Sequence, residues 1–305
     1  MESFTINSKT DQLPLSVIVS CSKQPKAIVQ IVHGMCEHKE RYLDFIKYLN
    51  ENGFGVIIHD QRGHGASILN KDDLGYFYQK NSQVLIDDVY QLTCHIKNRY
   101  PDLPIFLFGH SMGSLVVRNY LRFYSQAIDG LIVCGSPSKN KLAIFGKMIC
   151  SIIAKFKGDH YRSKLMHYMS LGMFNHGFDK PNEWICSDSN VVNQYNSNPL
   201  CNFNFTVNGY YNLLDLMINT YKNFDYHIKA DLPILFISGN EDPCLVNQKS
   251  FYQAVNHLKN QGYYNVEAKL YEKMRHEILN EKNKKQVYHD IVTYLNQQLE
   301  KRGKL

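Results

Sequence analysis

The chain has 305 residues, of which 44% are hydrophobic, 20% are charged and 12% are aromatic. This composition is typical of a folded globular protein of one or two domains, and it excludes an intrinsically disordered chain. The formal net charge of +6 is spread along the sequence. Because no basic stretch carries interleaved aromatic residues, nucleic-acid binding is not expected.

The first residues have neither a basic segment nor a continuous apolar run, so no signal peptide is predicted. Lys147 and Lys155 interrupt the most apolar stretch, and no transmembrane helix is expected. The eight cysteines contain no C-x-x-C pair, which argues against a zinc ribbon or a disulfide framework. We therefore expect a cytoplasmic protein in a reducing compartment, with peripheral membrane contact left open.

Apolar runs and helical periodicity alternate along most of the chain. Strands are predicted at 4–7, 15–20, 27–33, 54–60, 104–109, 130–136, 232–239 and 265–272, and helices at 41–53, 82–100, 114–124, 247–261 and 284–299. Such alternation predicts the α/β class, a mostly parallel central sheet with helices on both faces.

The alternation stops between residues 137 and 225, a segment rich in Tyr, Phe, Met, Asn and Lys without a buried strand pattern. Since the strand pattern returns afterwards, one core domain is expected from residues 1–136 and 226–305. Residues 137–225 are then an inserted, mainly helical cap. The apolar stretch 142–158, flanked by lysines, fits either a helix that meets lipid or one packed over the mouth of a site.

The pentapeptide GHSMG, centred on Ser111, matches the G-x-S-x-G pattern. A predicted strand precedes it and a predicted helix follows, which is the context in which this pattern exposes a nucleophilic serine. The alternative is a polar turn residue or helix N-cap. A plain N-cap does not need glycine on both sides, so we favour the nucleophile.

A serine hydroxyl needs a base to remove its proton and an acid to orient that base. His276 follows one of the last strands directly, and Asp242 follows the strand before it. The order Ser, Asp, His is the one that accompanies the G-x-S-x-G turn. Glu241 is the rival acid, whereas Asp225 and Asp231 precede their strand.

The remaining histidines have structural interpretations. His33, His59 and His110 end or follow strands and are expected to form hydrogen bonds. A metal site built from His33, His38, His59 and His64 is not expected, because nearby acids and cysteines do not complete a ligand set.

The attacked carbonyl needs two hydrogen-bond donors for its developing negative charge. The backbone N–H of Met112, at the start of a helix, is one candidate. The second is the N–H of Met35, beside Gly34 in the loop after the 27–33 strand. An ordinary tight turn is the alternative interpretation of this loop.

These stretches together resemble the α/β-hydrolase superfamily, and within it the monoacylglycerol lipase and lysophospholipase group of serine aminopeptidase-like hydrolases. The resemblance runs from about residue 27 to 281 and rests on VHGMCEHKERY, IHDQRGHGAS, DDLGYF, LFGHSMGS, SGNEDP and RHEILNE. The segments NEWICSD and YNSNPLCNFNFTVNGYYNLL are similar to cap sequences of bacterial members.

The resemblance implies a Ser111–Asp242–His276 triad, an oxyanion hole from Met35 and Met112, and no cofactor or metal. It implies a small-molecule ester or lipid substrate with one acyl chain. Cys36 departs from the group, which commonly has glycine or alanine there, so the fit of the substrate at this point is open.

Two other functions stay open. An aminopeptidase on the same fold would need a carboxylate, such as Glu183 or Asp188, to hold the substrate ammonium group. A non-catalytic ligand receptor is the other alternative. The oligomeric state is not predicted, and transient membrane contact through the cap is a possible interaction.

Overall fold

In the computed structural model, residues 1–224 and 228–304 are described, and they contain one eight-stranded sheet. Its strands are β1 (Glu2–Asn7), β2 (Pro14–Ser20), β3 (Ala27–Val32), β4 (Phe54–His59), β5 (Ile105–His110), β6 (Gly130–Cys134), β7 (Ile234–Gly239) and β8 (Val266–Tyr271). The spatial order is β1-β2-β4-β3-β5-β6-β7-β8. The pairs β1–β2 and β2–β4 are antiparallel and the rest are parallel. Every predicted strand is present.

Helices cover both faces of this sheet. They are α1 (Leu43–Glu51), α2 (Gln83–Arg99), α3 (Met112–Tyr124), α4 (Ala143–Lys157), α5 (Lys164–Ser170), α6 (Ser189–Ser197), α7 (Val207–Thr220), α8 (Gln248–Asn260) and α9 (Lys284–Glu300). Buried residues of α2, α3 and α8 share one hydrophobic cluster, and those of α1 and α9 share a second. The central strands β3 to β7 are therefore buried on both faces, as their continuous apolar runs predict.

The described residues between β6 and β7 contain helices and turns but no strand. Among these helices, α4 packs along α7, and α7 contacts α3 of the sheet-bearing part. The predicted boundary at residues 225 and 226 lies outside the described residues, as does Asp225, which was set aside as a candidate acid.

No helix in the described part of the chain is both long enough and apolar enough to cross a bilayer.

Candidate active site

Ser111 occupies the turn between β5 and α3. Its backbone has φ +52° and ψ −119°, a conformation that residues other than glycine rarely adopt. Its N–H donates to the carbonyl oxygen of Cys134 at 2.9 Å, which ties the turn to the neighbouring strand β6. Strained backbone of this kind concentrates at functional sites, because the surrounding contacts must enforce it.

The two glycines of the turn are required by close packing. A Cβ atom at Gly109 would lie 2.6 Å from the carbonyl oxygen of Gly113. A Cβ atom at Gly113 would overlap the carbonyl oxygen of Val32 on β3. Both positions therefore exclude any side chain, which explains the glycines of the sequence pattern.

Asp242 and His276 are joined by a hydrogen bond at the carboxyl ends of β7 and β8. Nδ1 of His276 lies 2.9 Å from Oδ2 of Asp242, and both residues are 4% exposed. The carboxylate also accepts from Ser238 Oγ at 3.1 Å and from the Cys244 N–H at 2.8 Å. With Nδ1–H as donor, Nε2 of the imidazole is left as the basic nitrogen.

Glu241, the rival acid, is exposed, and its N–H donates to the carbonyl oxygen of Met274 at 3.0 Å. The structure brings its neighbour Asp242, and not Glu241, to His276.

The imidazole of His276 lies beside the serine turn. Its ring centroid is 4.9 Å from that of His110, the residue that precedes Ser111, and 5.1 Å from the ring of Trp184. The backbone oxygen of His276 lies 3.3 Å from Nε2 of His110. The predicted nucleophile, base and acid thus lie together at the carboxyl ends of the strands, although Ser111 and His276 are 165 positions apart in the sequence.

The loop after β3 packs against Ser111. A Cβ atom at Gly34 would lie 3.0 Å from the Cβ of Ser111, so glycine lets this loop approach the serine. The adjacent Met35 N–H and the Met112 N–H donate to no acceptor in the described chain. Two free amides beside the serine are the arrangement that an oxyanion requires.

A buried carboxylate joins these loops. Oε1 of Glu37 accepts from the Gly34 N–H at 2.5 Å and lies 3.0 Å from Nδ1 of His110. Burial raises the pKa of Glu37, but its hydrogen bond to His110 and the nearby positive charges outweigh burial and lower that pKa overall. Burial lowers the pKa of His110, but Glu37 raises it overall. The two side chains therefore form an ion pair beneath the serine turn.

Arg41 extends this cluster to the loop that carries His276. Its guanidinium donates to both carboxylate oxygens of Glu277 at 2.6 Å each and to Glu37 at 3.2 Å. A hydrogen-bonded structural role was expected for His110 and is found. No role was predicted for Glu37, Arg41 or Glu277. The signal that could have identified them is their charge in loops that follow predicted strands.

The outcome for the other two structural histidines is mixed. His33 accepts from the Gln61 N–H at 2.9 Å through Nε2, as expected. The expectation was wrong for His59, because its buried Nδ1 has no hydrogen-bond partner among the described residues.

A cavity of about 440 Å³ opens directly above Ser111. Its wall is mostly apolar and includes six methionines, Met35, Met112, Met166, Met169, Met173 and Met217. Lys139 and Lys141 are the charged lining residues, and no Asp or Glu lines the cavity within the described chain. The candidate peptidase carboxylates point elsewhere: Glu183 lies 3.7 Å from Arg275, and Asp188 caps the N-terminus of α6.

Comparison with known proteins gives consistent results. Residues 23–283 match the family model described as serine aminopeptidase, S33. A monoglyceride lipase homolog of Monkeypox virus is 28% identical over 89% of this chain and 90% of its own length. The monoglyceride lipase of Mus musculus is 27% identical over 79% of this chain and 73% of its own.

A solved structure of a thermostable carboxyl esterase from Bacillus coagulans, in complex with glycerol, superposes with a TM-score of 0.88. It is 27% identical, and 98% of each chain is covered. The α/β-hydrolase fold expected from the sequence is thereby confirmed.

Proposed function

Because the chain belongs to the serine aminopeptidase S33 family of hydrolases, we propose that it is a serine hydrolase acting on carboxylic esters of lipids with one acyl chain. Monoacylglycerols and lysophospholipids are the substrates that we propose. The names of the viral and mouse relatives support a lipid ester. The observation that carries the proposal is that Ser111 lies at the floor of a mostly apolar cavity, which no carboxylate of the described residues lines.

In the proposed mechanism, Ser111 Oγ attacks the ester carbonyl while Nε2 of His276 takes its proton. Asp242 stays ionised, fixes the Nδ1–H tautomer and stabilises the imidazolium that forms. The amides of Met35 and Met112 stabilise the oxyanion. His276 then protonates the leaving alcohol, and a water molecule activated by His276 releases the fatty acid from the acyl-enzyme. No cofactor takes part.

The lining of the cavity argues against the aminopeptidase alternative. A substrate with a free ammonium group needs a carboxylate close to the serine, and the charged residues that line the cavity are instead Lys139 and Lys141. Apolar thioether and aliphatic groups, by contrast, match an acyl chain.

We further propose that residues 137–225 form the cap and that the cap contacts membrane surfaces transiently. One face of α4 packs toward the cavity through Ala143 and Gly146. Its other face exposes large apolar side chains, including Phe145 and Phe156. The helix α4 therefore fits both interpretations of the 142–158 stretch, since one face packs over the cavity and the other presents apolar side chains that suit lipid. The cytoplasmic location stays a prediction.

The test is the substitution Ser111→Ala, which removes the proposed nucleophile. We expect loss of labelling by a fluorophosphonate probe and a fall in monoacylglycerol hydrolysis on the order of 10⁴-fold or more. Ser151→Ala, on α4, is the matched control and should keep both. Undiminished labelling of Ser111→Ala would refute the assignment.

A substrate panel decides the chemical class. Monoacylglycerols and lysophospholipids should be cleaved faster than aminoacyl amides by the unmodified chain. The reverse ranking would favour the aminopeptidase.

A further inference from the structure

Three potential metal ligands meet in the turns that follow β7 and β8. The carboxylate of Asp242, the thiol of Cys244 and the imidazole of His276 place one ligand atom each within 4.8 Å of one another, and all three residues are buried. We propose that these three side chains bind a zinc ion and that this ion inhibits the enzyme. The inhibition rests on the function proposed above, whereas the metal binding does not.

The backbone holds the ligands together before any metal arrives. Asp242 and Cys244 flank Pro243 in a short turn, and the Cys244 N–H donates to Oδ1 of Asp242 at 2.8 Å. Nδ1 of His276 lies 2.9 Å from Oδ2 of Asp242. Tetrahedral zinc, with bonds of about 2.0–2.2 Å, separates nitrogen and oxygen ligands by roughly 3.4 Å. This nitrogen–oxygen pair, 2.9 Å apart, therefore needs to separate by only about 0.5 Å, and the Cys244 sulfur lies within 4.8 Å of both ligand atoms.

Charge and access also fit zinc. One carboxylate and one thiolate neutralise a divalent ion, which allows it to be buried. Cys244 lines the cavity above Ser111, so an ion can reach its sulfur through the opening used by substrate. A set that combines sulfur and nitrogen selects zinc over Mg²⁺ and Ca²⁺, which prefer oxygen ligands.

Binding also changes the protonation of the base. Cys244 is a free, buried cysteine, and a thiol loses its proton when it becomes a zinc ligand. Zinc displaces this proton to solvent and forms a bond to the thiolate. It also takes the position of the Nδ1 proton of His276, which moves to Nε2. An imidazole protonated at Nε2 cannot accept the proton of Ser111, and catalysis stops.

The first experiment measures hydrolysis of a p-nitrophenyl ester by the full chain as zinc chloride is added. We expect inhibition that EDTA reverses and that MgCl₂ does not reproduce. Cys244→Ser should raise the half-inhibitory zinc concentration by about tenfold or more, because a hydroxyl is a poor zinc ligand. Each variant is compared with its own zinc-free rate. Cys94→Ser, on α2, is the matched control and should leave the half-inhibitory zinc concentration unchanged.

The second experiment observes binding without catalysis. Cobalt(II) in place of zinc should give a thiolate-to-cobalt charge-transfer band in the unmodified chain and in Ser111→Ala, but not in Cys244→Ser. Equal bands in all three proteins, or no band in any, would overturn the site. Equal zinc inhibition of Cys244→Ser would overturn it as well. Failure of the proposed esterase activity would leave the cobalt result intact, so the two outcomes are distinguishable.

Discussion

The backbone of Ser111 is strained, as expected of the nucleophile that we propose. Holding a residue other than glycine in such a sparsely populated backbone conformation costs on the order of 1–3 kcal/mol. The neighbouring structure holds this conformation. The N–H of Ser111 donates to the backbone of β6, and Gly109 and Gly113 permit close packing on either side. This strain lowers the stability of the fold, a cost that agrees with the catalytic role that we propose for Ser111.

Ser111→Gly should release this strain. Glycine enters the region with little penalty, while its greater freedom in the unfolded chain opposes the gain by about 0.5–1 kcal/mol. We expect the free energy of unfolding to rise by roughly 1 kcal/mol relative to Ser111→Ala, measured by urea denaturation. A glycine variant less stable than the alanine variant would contradict the assignment of strain.

At the scale of elements, α4 has two different faces. Its buried positions, Ala143, Gly146 and Cys150, are small and pack toward α7 and the cavity. The exposed apolar side chains are Ile144, Phe145, Met148, Ile152 and Phe156, of which Phe156 is 79% exposed. A helix with this much exposed apolar surface is typical of an interaction site.

The double substitution Ile152→Glu with Phe156→Glu tests membrane contact by α4. Removing two large apolar side chains from the lipid interface costs several kcal/mol, so partitioning onto vesicles should fall at least about tenfold. Vesicle co-sedimentation measures this, and hydrolysis of a water-soluble ester verifies the fold. Leu69→Glu, at an exposed position outside the cap, is the control. Unchanged sedimentation of the double variant would contradict the role of α4.

The elements themselves were largely predictable, because burial on both faces leaves continuous apolar runs in strands such as β3 and β5. Boundaries were less so: the first helix was predicted from residue 41, but α1 begins at Leu43 after a 3₁₀ turn. The contact of Arg41 with Glu277 was not predictable, since it joins side chains 236 positions apart. Periodicity records burial within an element, not the pairing of distant loops.

At the scale of the whole molecule, buried histidines set the response to acid. Burial lowers the pKa of His59 and of His64 to about 3 each. The charges around His59 act in the same direction, from His33, Arg62 and Lys39. Between about pH 3 and the unfolded pKa of about 6.5, the unfolded chain binds more protons than the folded chain. Stability therefore falls as the pH drops through this window.

His59→Leu should reduce this pH dependence. At pH 5, one histidine with these two pKa values destabilises the folded state by about 2 kcal/mol relative to pH 8. The difference in unfolding free energy between pH 8 and pH 5 should shrink by about that amount in the variant, measured by urea denaturation at both pH values. The control substitution His289→Leu, at an exposed position, should leave the difference in unfolding free energy between the two pH values unchanged. An equal shrinkage in both variants would exclude burial as the cause.

The buried charge cluster of Glu37, His110, Arg41 and Glu277 has a consequence for recombination between related genes. The Glu37 carboxylate binds the loop after β3 and the serine turn, and Arg41 carries the connection to Glu277. A chimera that takes one of these three loops from a relative without the matching charge leaves a buried charge unpaired, which costs several kcal/mol. With such a relative, the three loops, distant in sequence, should be exchangeable only as a set, and crossovers that separate them should yield few folded proteins.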